Sequence, residues 1–80
     1  MKEEYFTNMK ELYDRLLPAL RSKKEQMNRE GYLFATELNI WETLYKTKWK
    51  LASKLTLADM VDDILNTNSL NIYKHIRKEQ

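Results

Sequence analysis

Lys46, Lys48 and Lys50 flank Trp49 in the segment Lys46-Thr47-Lys48-Trp49-Lys50, and Lys54 follows four residues later. A large indole set among ammonium groups is chemically suited to single-stranded RNA, because the ring can stack on an unpaired base while the cations meet phosphates. The same pattern also serves a core, with the tryptophan buried at helical spacing from Tyr45 and the lysine stems laid over it, their charges kept in water. Arg21, Lys23 and Lys24 can add to this surface if the fold brings them near it.

The other reactive side chains offer less. His75 is the only histidine and stands beside Lys74 and near Arg77 with no acid close in sequence, so it reads as a surface residue. Asp59, Asp62 and Asp63 contain an i, i+4 pair that can be drawn as a hard-cation site, but acids in the early turns of a helix are already explained by its dipole. No glycine-rich phosphate loop, nucleophile motif or isolated pair of acids is present. The expectation is a chain with no catalytic residues, no metal and no cofactor.

Composition narrows the class further. Eighty residues provide for one domain (1–80) with one core, and a core of this size supplies roughly 3 to 5 kcal/mol of net stability, leaving little room for a dehydrated reaction chamber. No cysteine is present, which excludes disulfides and cysteine-based zinc sites and fits a reducing compartment. The first residues mix acids with bases, unlike a secretory signal, and no stretch approaches the roughly 20 apolar residues that span a bilayer. These features predict a cytoplasmic protein without membrane insertion or a small-molecule substrate.

Fourteen Lys and Arg against twelve Asp and Glu leave a net charge of +2, too little to compel a polyanionic partner. Charge is nevertheless sorted: residues 46–54 carry four lysines and no acid, and residues 55–65 carry three aspartates and no base.

One glycine and one proline, with abundant Leu, Lys, Glu and Met, predict an all-α fold. Tyr5, Phe6, Met9, Leu12, Tyr13, Leu16, Leu17 and Leu20 recur three and four apart as one apolar stripe. Pro18 predicts a kink there or a helix restarting with Pro18 in its first turn. Gly31 suits a left-handed cap, with Tyr32 folding back on the last turn.

Thr36 predicts an N-cap for a helix carrying Leu38, Ile40, Trp41, Leu44 and Tyr45. That helix extends by a turn through the lysine segment before the chain loosens near Ala52 and Ser53. Thr56 with Asp59 resembles a capping box and opens a helix that would bury Leu57, Met60, Val61, Ile64 and Leu65. Asn66-Thr67-Asn68 breaks it. Asn68 or Ser69 then caps a last helix facing inward with Leu70, Tyr73 and Ile76, with Ile72 at the edge. Residues 36–65 make a poor helix-turn-helix, because the gap is too long and the second helix carries phosphate-repelling aspartates. The expected architecture is a compact bundle of four or five short helices.

Leu17-Pro18, Leu20, Lys23, Gly31-Tyr32, Thr36, Ile40-Trp41, Leu44, Lys48-Trp49-Lys50, Leu57, Val61, Asp63-Ile64-Leu65 and Tyr73, taken in order, resemble a known family. The chain is similar, from about residue 12 to residue 76, to the short post-transcriptional regulators typified by the ComN competence regulator of low-GC Gram-positive bacteria. That resemblance implies a non-enzymatic protein acting on mRNA or its location and associating with a polar division-site scaffold of the DivIVA type. Enrichment at division sites or poles would follow. Asn39 stands where an acid is expected in such a chain. Two functions come from these observations: RNA contact through Lys46, Lys48, Trp49, Lys50 and Lys54, or protein docking through an apolar strip of Tyr5, Phe6 and Met9 in the helix-to-groove manner.

Overall fold

The computed structural model describes the backbone of residues 2–51 and 55–79 and the side chains of residues 9–50 and 55–78. Within these, the chain forms α1 (Lys2–Arg29), α2 (Glu37–Thr47), a 3-10 turn (Trp49–Leu51), α3 (Leu57–Asn66) and α4 (Ser69–Glu79), with no strand among the described residues. The all-α expectation holds. A helix of 28 residues runs for about 42 Å at 1.5 Å per residue, so α1 sets the 40 Å long axis of the molecule. α2 and α3 pack against α1, and α4 packs against α2.

Pro18 neither ends nor restarts α1, which is continuous through it. Proline removes one N–H, leaving the Asp14 carbonyl without its i+4 donor. Leu16 and Leu20 on either side are fully buried, and each contributes about 1.5 to 3 kcal/mol, enough to hold the turn in place. Pro18 itself faces solvent.

α1 ends as the sequence predicts. Gly31 has φ of +105°, a region that costs other residues about 1 to 2 kcal/mol. The Tyr32 N–H returns to the Met27 carbonyl at 2.9 Å and the Gly31 N–H to Asn28 at 3.1 Å, satisfying two carbonyls of the last turn in a Schellman motif. Thr36 caps α2 by accepting from the Asn39 N–H at 3.1 Å. Thr56 and Asp59 form a reciprocal capping box on α3. Asn68 caps α4, its Oδ1 accepting from the Leu70 N–H at 2.8 Å.

The core joins Leu16, Leu20 and Met27 of α1 to Ile40, Trp41 and Leu44 of α2, with Trp49, Ile64, Ile72 and Ile76 closing it. Three predicted faces are rotated from expectation. Leu38 is 52% exposed, because at 100° per residue it lies about 200° around α2 from Ile40. On α3, Leu57 and Leu65 are 41% and 43% exposed; this helix at the edge of the bundle buries only the narrow Met60, Val61 and Ile64 strip. On α4, Ser69, Ile72 and Ile76 point inward at i, i+3 and i+7, which turns Leu70 outward.

Candidate recognition surfaces

The lysine-tryptophan segment turns its ring inward. Trp49 sits in the 3-10 turn after α2, is 4% exposed and meets Trp41 edge-on with centroids 5.6 Å apart. Trp41 also contacts Tyr13 at 5.5 Å and Tyr45 at 6.0 Å, so Trp49 completes an aromatic cluster between α1 and α2. Its indole N–H donates to Asp63 Oδ2 at 2.9 Å, while Lys48 Nζ pairs with Asp63 Oδ1 at 3.0 Å. Burial pushes the Asp63 carboxyl up, but the Trp49 and Lys48 hydrogen bonds outweigh it and hold the group below the ordinary carboxylate range. Trp49 is thus a core anchor, and base stacking by it is corrected. Lys48 is committed to α3. Lys46 and Lys50 lie exposed on the last turn of α2 and the 3-10 turn, and Lys54 falls outside the described residues.

The other cations do not join this segment. Lys23 is 2% exposed, and its ammonium donates to the Thr67 carbonyl at 2.6 Å, so it ties α1 to the end of α3 and cannot reach a phosphate. Burial lowers its pKa, opposed by the charge of Glu30. Arg21 and Lys24 reach Glu37 at 3.7 and 3.4 Å, fastening α1 to the start of α2. Glu37 and Lys48 are separated by the length of α2, about 16 Å at 1.5 Å per residue. The acids are similarly occupied: Asp59 belongs to the α3 cap and Asp63 to Trp49 and Lys48, and no group that could hold a metal ion occurs among the described residues.

The apolar strip is only partly visible. Met9 is half-buried and lines a cleft with Leu12, Trp41, Tyr45, Trp49 and Met60, so it faces the aromatic cluster rather than solvent. The side chains of Tyr5 and Phe6 lie outside the described residues.

Two surfaces escaped the sequence reading. Leu33 and Phe34, in the connection before α2, are 72% and 73% exposed. A sequence signal existed, since two large apolar residues stand between the Gly31 cap and the Thr36 cap, outside any helical stripe. The second is a groove between α2 and α4 lined on its α4 side by Asn71, Lys74, His75, Arg77 and Lys78. Lys74, His75 and Arg77 were visible as neighbours in sequence, but the seam that collects them is tertiary.

With these surfaces placed, comparison with known proteins decides the family. The family model described as post-transcriptional regulator matches residues 9–79. The chain belongs to the post-transcriptional regulator family. No curated protein and no solved structure matches it. Residues 9–79 of this regulator begin at Met9 and include all of α2, α3 and their caps, so the matched region covers the aromatic cluster and both newly found surfaces. No helix among the described residues is long and apolar enough to cross a membrane.

Proposed function

We propose that this regulator is a non-enzymatic adaptor that acts after transcription by docking on a protein partner through Leu33, Phe34 and Leu38. The observation that carries the reading is their exposure, 72%, 73% and 52%, within six consecutive residues. A chain of 80 residues has few large apolar side chains to spare from its core. Leaving three of them in water at one end marks a contact surface. Phe34 and Leu33 protrude from a capped connection, so they act as anchors for a groove supplied by the partner.

The partner implied by the family resemblance is a coiled-coil scaffold of the DivIVA type at division sites or poles. Placing mRNA regulation at such a scaffold requires only that the chain hold both, and no bond in the transcript need be made or broken.

The test is direct binding of the purified chain to a purified DivIVA-type scaffold by isothermal titration. The Leu33→Ser/Phe34→Ser variant should bind at least about tenfold more weakly, with its helical circular dichroism unchanged. Equal affinity in the folded variant would remove Leu33 and Phe34 from the interface.

A further inference from the structure

α2 and α4 pack side by side, and an open groove of about 660 Å³ follows their seam. Its floor is formed by Leu44 and Ile72, which are 2% and 0% exposed. These two side chains are themselves closed to solvent. The groups that line the walls end instead in polar atoms. Thr47 and Thr67 stand on one side, and Asn71, Lys74, Arg77 and Lys78 on the α4 side.

No lining residue is acidic. Among the described residues, no carboxylate pairs with Lys74, Arg77 or Lys78. Arg77 and Lys78 belong to the last turn of α4, where the helix dipole alone favours cations. Lys74 lies outside that turn, and the seam gathers all three on one concave surface. The hydroxyls add a second chemical requirement. Thr47 donates to the Thr43 carbonyl at 2.6 Å, and Thr67 donates to the Asp63 carbonyl. With their hydrogens committed, both oxygens are left as acceptors.

The groove thus presents cations for an anionic backbone, acceptors for hydroxyl donors and an amide at Asn71. We propose that it binds single-stranded RNA, with Lys74, Arg77 and Lys78 on phosphates and Thr47 and Thr67 accepting from 2′-hydroxyls. A seam between packed helices, whose axes lie roughly 8 to 10 Å apart, admits one strand lengthwise, whereas a duplex would touch only its rim. An acidic amphipathic helix meets the charge but brings carboxylate acceptors, which give the Thr47 and Thr67 oxygens no donor, whereas a 2′-hydroxyl does. This site is separate from Leu33 and Phe34, and it does not depend on docking there.

The test is fluorescence anisotropy of the full chain with a labelled single-stranded RNA of about 10 nucleotides, titrated at several salt concentrations. Three phosphate contacts give a slope of log affinity against log salt of about −2. The variant Lys74→Gln/Arg77→Gln/Lys78→Gln should lose at least about tenfold in affinity and most of that slope, while Lys46→Gln/Lys50→Gln keeps both. Asn71→Trp, at an exposed position, leaves every charge in place and obstructs the groove, so it should also lose about tenfold. DNA of the same sequence should bind several-fold more weakly. Circular dichroism establishes that each variant is folded, and Leu33→Ser/Phe34→Ser should bind RNA as the unaltered chain does. The proposal is overturned if the unaltered chain does not bind RNA, if either folded groove variant binds normally, or if DNA binds equally. It is also overturned if an acidic helical peptide occupies the groove and RNA does not.

Discussion

Asp63 is the residue through which the lysine-tryptophan segment is held to the rest of the molecule. It accepts the Trp49 N–H and pairs with Lys48, so removing it leaves a donor in a residue that is only 4% exposed. Asp63→Ala should therefore cost about 1 to 3 kcal/mol in denaturant unfolding. The same group makes stability depend on pH. Because its folded pKa is depressed, the unfolded chain takes up the proton first as pH falls. The contribution is complete above the ordinary value of 3.8 and is lost as pH drops below it through the folded value. Asp63→Asn, which keeps an acceptor for Trp49, should flatten the loss of stability as pH falls below about 4. Glu37, also held low, chiefly by its own backbone N–H, retains part of the slope. The types and spacing of Lys48, Trp49 and Lys50 were legible from the chain, but the direction of the ring was not. Its acceptor lies fourteen residues away and has an innocent local explanation as a helix-dipole acid. Lys23 hid its role in the same way, since nothing nearby in sequence names the Thr67 carbonyl as its partner.

At the scale of the element, stop and start signals were readable because their physics is local. Thr36, the Thr56 and Asp59 pair, and Gly31 with Tyr32 all act within six residues, and each forms the motif its spacing predicts. Thr56→Ala should lower stability by about 1 kcal/mol, read from thermal unfolding. Gly31→Ala meets no atom within 4 Å, so its cost, about 1 to 2 kcal/mol, comes from the backbone conformation alone. Pro18 is the opposite case, a local break signal overridden by the burial of Leu16 and Leu20. Pro18→Ala restores the donor to the Asp14 carbonyl at an exposed position and should raise stability by about 1 to 3 kcal/mol. Helix rotation was less legible than helix limits. α3 and α4 carry leucines on more than one face, and only packing against α1 and α2 selects Ile64, Ile72 and Ile76 as the inward set.

At the scale of the whole molecule, α1 is a bar against which α2 and α3 pack, and α4 packs against α2. Arg21 and Lys24 fix the start of α2 on that bar through Glu37. These pairs are largely solvated, so Glu37→Gln should change stability by less than about 1 kcal/mol. They join the two helices that flank the Leu33–Phe34 connection. The sequence identified the class of fold and the family, while the candidate surfaces emerged only when non-adjacent helices were brought together. The most direct measurement for this regulator is the affinity of a purified DivIVA-type coiled-coil scaffold for the chain with and without Leu33→Ser/Phe34→Ser. The account predicts a loss of at least about tenfold while Lys46→Gln/Lys50→Gln binds normally. Undiminished binding by the folded Leu33→Ser/Phe34→Ser chain would contradict it.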